Sequence, residues 1–316
     1  MSTALRVWEV GPRDGLQNEA RPIPTAAKIR LIEGLAAAGV RSIEATSFVS
    51  AKAVPQMADG DEVAAKVHAL PGVTAMAVVF NERGYERLVA SGLRAVCVVV
   101  VVSDALSRAN SRRSAEEGLT ASKELIARAR RDGLFVRVDI APAWVCPYEG
   151  PTDPERVIAF ADQLWEQGVD ELALADTIGQ AHPFEVAKLF ERLGARYDMA
   201  RLVGHFHDTQ GLGLANATAA LTAGVRIFDA SVGGLGGCPF APGAAGNLAT
   251  EDLVLLADKA GFSTGIDLAA LWGVVGETSE VVGRPLGGRS GSWWRGRREA
   301  ALRPSEAFKE GALRPS

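Results

Sequence analysis

Arg201-Leu-Val-Gly-His-Phe-His-Asp-Thr-Gln-Gly211 joins a short apolar run to two histidines, one residue apart, and then an acid. The apolar run reads as a β-strand. Strand side chains alternate between faces, so His205 and His207 point the same way. Two imidazoles on one side of a strand end can grip one divalent metal, although hydrogen-bonded core or surface histidines are the plainer reading. The chain has only 4 histidines and two fall here, which favours the metal. Directly after them, residues 212–223 read as a helix that stops at Gly224. Strand, polar loop, then helix ending in glycine is the unit from which the rest of the chain is built.

Working outward, the unit recurs. Strands are predicted at residues 5–10, 42–46, 73–80, 95–102, 134–140, 171–175, 202–206 and 227–231. Helices are predicted at 25–38 (with Thr25 as N-cap and Gly39 just past the end), within 54–70, at 83–90 before Gly92, within 115–131, after Asp153-Pro154, after His182-Pro183, and at about 250–259. Residues 267–282 read as an extra helix or two. Eight such units, with no linker rich in Pro, Gly and Ser before residue 284, predict a closed (β/α)8 TIM barrel over residues 1–283. An open parallel sheet with a second domain would need a break in composition near the middle, and there is none.

From Arg284 the character changes. Residues 284–316 are basic and rich in Gly, Arg and Trp, and Ala-Leu-Arg-Pro-Ser occurs at 301–305 and again at 312–316. This reads as a loosely ordered or disordered tail. The sharper alternative is a tail folded over the barrel mouth or a partner subunit, with Trp293 and Trp294 as anchors.

The 316 residues carry a net charge of −4, with 47% hydrophobic and 23% charged residues. Such a balance gives no pull toward nucleic acid or an anionic membrane. Three cysteines, Cys97, Cys146 and Cys238, suggest no disulfide framework. The start of the chain has neither a signal-peptide nor a transit-peptide pattern, and the longest apolar run, 95–102, is far short of a membrane span. These features predict a cytoplasmic protein.

In such barrels the chemistry sits where the strands end. Polar and ionisable residues gather there: Arg13-Asp14 after strand one, Glu44 and Thr46-Ser47 on strand two, Asp176-Thr177 after strand six, His205, His207 and Asp208 at strand seven, Cys238 and Asn247 after strand eight. A lone aspartate after a strand is more often a cap than a ligand; the convergence of several on one face is the signal. Asp14, His205 and His207 make a mixed oxygen and nitrogen set with open positions, suited to Mg2+, Mn2+, Co2+ or Zn2+, and Asn247 is a candidate fourth ligand. The loop Gly233-Gly-Leu-Gly-Gly-Cys-Pro239 reads either as a flexible surface loop or as a lid that brings the Cys238 thiol to the reacting carbon. Cys97 and Cys146 look structural. Asn110, Arg112 and Arg113, after strand four, are candidates for contact with a bulky substrate, or a solvated turn.

Several stretches carry a resemblance: Val10-Gly-Pro-Arg-Asp-Gly-Leu-Gln-Asn-Glu19, Ile43-Glu-Ala-Thr-Ser-Phe-Val-Ser50, Pro55-Gln-Met57, Cys146-Pro-Tyr-Glu-Gly150, Asp176-Thr-Ile-Gly179, His205-Phe-His-Asp-Thr209, Gly233-Gly-Leu-Gly-Gly-Cys-Pro239 and Gly246-Asn-Leu-Ala-Thr-Glu-Asp-Leu253. From about residue 5 to 282 the chain resembles the 3-hydroxy-3-methylglutaryl-CoA lyase family, metal-dependent TIM-barrel carbon–carbon lyases. The resemblance implies a retro-Claisen cleavage of an acyl-CoA thioester to acetyl-CoA and a ketoacid such as acetoacetate. It implies Asp14, His205, His207 and Asn247 as metal ligands, with Mg2+ or Mn2+ the first choice. By the same correspondence Arg13 stabilises the enolate oxygen, Cys238 is the lid thiol, and Glu44 and Asp176 are active-site acids. Asp14 or His205 is the base. Gln17, Ser47, Asp139, Thr177 and Asn110 are assigned to substrate binding, and a homo-oligomer, dimer or tetramer, is expected.

The chain also departs from that family. Arg137-Val-Asp-Ile-Ala-Pro142 stands where Arg-Gly-Tyr-x-Ser-Cys is usual, so Asp139 replaces an aromatic. Val79-Phe80-Asn81 replaces Thr-Pro-Asn, and Ala173 replaces a serine. These positions line the pocket and bear on the acyl group: a carboxylate at Asp139 repels an anionic acyl tail unless it is paired. Rival readings are a Claisen condensation enzyme or hydroxy-ketoacid aldolase on the same barrel, or a non-catalytic scaffold.

Overall fold

The computed structural model describes residues 3–237 and 246–302, with side chains described as far as Arg297. Eight parallel strands close into a barrel: β1 (Arg6–Glu9), β2 (Ser42–Ser47), β3 (Thr74–Val79), β4 (Ala95–Val101), β5 (Phe135–Ala141), β6 (Glu171–Asp176), β7 (Leu202–Phe206) and β8 (Ile227–Ala230). Each strand pairs with its sequence neighbours, and β8 closes on β1 with Trp8 opposite Asp229. The runs are short and largely β-branched or small, as strands buried on both faces require.

Helices wrap the outside: α1 (Thr25–Ala37), α2 (Gly60–Val67), α3 (Glu82–Ser91), α4 (Asp104–Ser111), α5 (Ala115–Arg131), α6 (Pro154–Trp165), α7 (Pro183–Gly194), α8 (Gly213–Thr222), α9 (Thr250–Lys259), α10 (Leu268–Val282) and α11 (Gly291–Leu302). Side-chain caps set several starts. Ser114 and Glu117 form a reciprocal capping box at α5, and Asp153 and Asp267 cap α6 and α10. Thr25 is not the N-cap of α1: the Ala27 and Lys28 N–H groups donate to the Pro24 carbonyl, so the helix starts one residue earlier than the hydroxyl suggests. The α4 helix differs from the solvated turn that the sequence suggests after strand four. It is short and polar, capped by Ser103, and it ends at Arg112, whose φ of 62° is left-handed.

The main apolar core lies between strands and helices. A second cluster, Trp8, Met76, Val78, Ala95, Cys97, Ala173, Val203 and Ile227, fills the barrel interior. Charge joins it there: Arg137, Asp139, Glu44 and Asp229 are all buried. Toward the entrance end of the strands, Glu171 takes the Trp8 indole N–H (2.9 Å) and pairs with Arg6. The barrel interior is a packed plug with an ionic upper layer, which supplies the floor of the candidate site.

Residues 284–302 are more ordered than their composition suggests. Trp294 stacks on Trp272 of α10 with ring centroids 5.3 Å apart and planes 10° apart, while Trp293 stays half exposed. Apolar stacking and the ion pairs described below compensate for the scarcity of aliphatic residues. Residues 303–316, with the second Ala-Leu-Arg-Pro-Ser, lie outside the described residues. Among the described residues no helix is long and apolar enough to cross a membrane.

Candidate metal and active site

After β1 the chain makes a single π-type turn over Gly11–Gly15, all of it buried, and this turn carries Arg13 and Asp14. Such turns recur at functional sites because they re-aim side chains out of helical register. Glu9 braces the turn: Oε1 accepts the N–H groups of Gly11 (2.8 Å) and Val232 (2.9 Å), and Oε2 accepts the Thr250 hydroxyl (2.6 Å). Burial pushes Glu9 up to about 7 despite these bonds. The loops after β1 and β8 are thus tied together from below.

Asp14, His205 and His207 converge, with candidate ligand atoms within 4.8 Å of one another and all three residues buried. The two imidazoles face the same space, their centroids 5.3 Å apart. His207 Nε2 lies 3.9 Å from Asp14 Oδ2. Asn247, bridged to His207 across the two loops, donates its Nδ2 to Asp14 Oδ2 (2.7 Å), which leaves the amide oxygen available. Gln17 Nε2 donates to Asp14 Oδ1 (2.7 Å), so Gln17 reaches the cluster by holding its carboxylate.

The donor set fits a divalent cation. His207 Nδ1 is buried and has no hydrogen-bond partner among the described residues. Burial, followed by repulsion from His205, pulls His207 down to about 4 and leaves it a neutral ring. Burial raises the Asp14 pKa, but Arg13, both histidines and Asn247 outweigh it and hold the carboxyl below its usual range. His205 Nδ1 is bonded to Asp229 Oδ2 (2.8 Å), which turns Nε2 toward the cluster. Burial opposes charge on His205, yet the bond and charge of Asp229, with Asp14, raise its pKa overall. A carboxylate, two imidazoles and an amide oxygen are hard-to-borderline donors suited to Mg2+, Mn2+, Co2+ or Zn2+.

Asp229 supports this cluster, and nothing in the sequence pattern singles it out. It lies opposite His205 in the β7–β8 register and is buried. Arg137 donates to both of its oxygens; burial raises the Asp229 pKa, but Arg137 and His205 outweigh it and leave the group far more acidic than an ordinary aspartate. Arg137 Nε also donates to Asp139 Oδ1 (2.7 Å). The Asp139 carboxylate is therefore paired, and its expected repulsion of an anionic acyl tail is reduced. A Cys97 thiol buried beside Asp139 and Glu44 is held well above the ordinary thiol range, chiefly by burial, and stays protonated.

The other candidates fall in distinct places. Arg13 donates Nη1 to Asp14 (2.9 Å) and Nε to Glu44. Glu44 is fully buried and pushed up to about 7 by burial despite Arg13, and its Oε2 has no partner among the described residues. Asp176 accepts the N–H groups of Gln180 (3.0 Å) and Ala181 (3.1 Å), so it holds its own loop; burial pushes it up to about 6. Ser47 is buried at the end of β2, and the Thr177 hydroxyl is buried without a hydrogen-bond partner among the described residues. Asn110 is exposed on α4 and does not join the cluster. Cys238 lies outside the described residues. Cys146, as expected of a structural thiol, is buried and packs its sulfur on the Ser103 hydroxyl (3.0 Å).

The closed barrel carries a rim cluster of the kind a cation-using (β/α)8 enzyme presents at the C-terminal ends of its strands. A family model described as HMGL-like matches residues 4–277, and the chain belongs to that family. It is 45% identical to a hydroxymethylglutaryl-CoA lyase of Pseudomonas mevalonii, covering 91% of this chain and 96% of the relative. It is also 45% identical to an (R)-citramalyl-CoA lyase of Chloroflexus aurantiacus, covering 90% and 92%. The crystal structure of an HMG-CoA lyase from Acinetobacter baumannii in complex with coenzyme A and 3-methylmalate superposes with a TM-score of 0.88 at 34% identity, covering 100% of this chain and 99% of that one.

Proposed function

We propose that the protein cleaves 3-hydroxy-3-methylglutaryl-CoA, or a closely related 3-hydroxyacyl-CoA, to acetyl-CoA and a ketoacid, using a divalent cation held by Asp14, His205, His207 and Asn247. The observation that carries this reading is the buried convergence of those side chains beside Arg13. A cation bound there supplies Lewis acidity toward the 3-hydroxyl and the free carboxylate of the substrate. Asp14 or His205 takes the hydroxyl proton; the C2–C3 bond breaks, its electrons pass to the thioester, and the hydroxyl carbon becomes the ketone. With Nε and Nη1 committed to Glu44 and Asp14, Arg13 offers Nη2 to the thioester oxygen as enolate charge develops. Cys238, by its place in the family motif, donates the proton that completes acetyl-CoA. Mg2+ or Mn2+ suits the donor set, and the reading includes a cytoplasmic homo-oligomer.

A second substrate has specific support: identity to the (R)-citramalyl-CoA lyase is as high as to the hydroxymethylglutaryl-CoA lyase. The same bond cleavage in a citramalyl thioester yields pyruvate. The test is product analysis by mass spectrometry after incubation with each thioester, with Mn2+ and with chelator. Acetyl-CoA plus acetoacetate or pyruvate, abolished by chelator, is expected. No acetyl-CoA from either substrate in the presence of metal overturns the proposal.

A further inference from the structure

Past the family match at residue 277 the chain runs across the rim of the barrel that carries the cluster. Arg284 pairs through Nη1 and Nη2 with both oxygens of Glu19, in the loop after β1 (2.7 and 2.6 Å). The Gly287 N–H donates to the Gly233 carbonyl in the loop after β8 (3.2 Å). Asp252 of α9 is 4% exposed, and its carboxylate accepts the N–H groups of Arg289 (2.5 Å) and Ser290 (2.9 Å) and the Ser290 hydroxyl. Gly288 makes this approach feasible: its φ is 52°, and a Cβ there would collide with the Asp252 carboxylate. The Trp272–Trp294 stack anchors the far end.

These anchors fix the backbone of Arg289 and aim its guanidinium at Asp208, with Nε on Oδ2 and Nη2 3.3 Å from the carbonyl oxygen. Asp208 directly follows His207. Its N–H donates to the carbonyl of Gly246, the residue before Asn247 (3.0 Å), and its Oδ1 accepts the Gly213 N–H at the start of α8 (2.9 Å). Asp208 therefore knots together the two loops that bear His207 and Asn247, and Arg289 holds its remaining oxygen.

We infer that Arg289, delivered by the strap of residues 284–295, is a positioning residue for the cation site: it fixes Asp208 and, through it, the spacing of His207 and Asn247. The inference rests on the metal reading proposed above. The Arg289 side chain is 56% exposed, which bounds the effect; an ion pair of that exposure is worth about fivefold in an equilibrium at most.

The test is Mn2+ titration calorimetry, with thermal melts, on the full chain, Arg289→Ala, Arg289→Lys and Arg192→Ala. Arg192 pairs with both oxygens of Glu155 on the helical surface and controls for loss of any exposed pair. Arg289→Ala is expected to bind Mn2+ about fivefold more weakly, the lysine variant within about twofold of wild type, and Arg192→Ala like wild type. Arg289→Ala binding as wild type does, or Arg192→Ala losing as much, overturns the inference while leaving the metal reading intact. A wild-type chain that binds no Mn2+ removes that reading itself.

Discussion

Replacing Asp229 by asparagine changes no volume and one charge, yet it breaks the support of a candidate ligand. The native carboxylate accepts three donors: His205 Nδ1 at 2.8 Å, Arg137 Nη1 at 2.7 Å, and Arg137 Nη2. An amide offers one acceptor and one donor group. If its oxygen stays on His205, its NH2 faces a guanidinium. If its oxygen turns to Arg137, its NH2 faces His205 Nδ1 and forces the ring proton onto Nε2, the nitrogen a cation needs. Either way Asp139 is the only hydrogen-bonded carboxylate that the buried Arg137 keeps among the described residues. Breaking one arm of a buried ion pair costs about 3–5 kcal/mol, and loss of a ligand's supporting carboxylate costs about 10–100-fold in metal affinity. Asp139→Asn is the control: it takes the other partner of Arg137 but leaves the Asp229–His205 bond untouched. Mn2+ titration and thermal denaturation of both variants should show a stability loss in each and a large affinity loss only for Asp229→Asn. Mn2+ binding by Asp229→Asn within about twofold of wild type would falsify the orienting role.

Three further outcomes are expected. Arg13→Lys keeps a charge but loses the fork to Glu44 and Asp14, so kcat should fall about 100-fold, as for loss of one oxyanion donor; a change confined to KM would contradict its role at the enolate. Glu251 is fully buried, donates nothing, and accepts the Gly233 N–H (3.0 Å), while burial pushes its pKa from 4.5 to about 8. Because the folded value is raised, its charging cost is absent below pH 4.5, grows as pH rises, and is complete above about 8. Glu251→Gln should therefore gain on the order of 5 kcal/mol over wild type at pH 8.5 and nothing at pH 4.5; a pH-independent difference in melting temperature counts against this. Asp139→Tyr restores the aromatic of the resembled family and should raise kcat/KM for 3-hydroxy-3-methylglutaryl-CoA relative to citramalyl-CoA, and an unchanged ratio means that Asp139 does not select the acyl group.

The barrel was legible because its strands are short β-branched runs set between helices that stop at glycines, such as Gly92 and Gly224, both with left-handed φ. The candidate cation cluster was legible because alternation put His205 and His207 on one side and Asp14 lay at another strand end. Asp229 was not, since one acid in an apolar run says nothing about its neighbour until the register sets it opposite His205. The pairing of Asp139 hid for the same reason: Arg137, two residues away on its own strand, looked like an isolated charge. Thr25 misled because a proline carbonyl took the role expected of its hydroxyl. Composition left residues 284–297 open between a loose tail and one folded over the barrel mouth; there the Trp272–Trp294 stack and the bonds of Arg284, Arg289 and Asp252 do the packing that aliphatic side chains do elsewhere.

The most direct test of the whole account is an anomalous difference map from crystals grown with Mn2+. The expected result is one strong peak coordinated by Asp14, His205 and His207, with the Asn247 amide oxygen turned toward it. A peak at Glu44, Cys97 and Asp139 instead, or none at saturating Mn2+, contradicts the account.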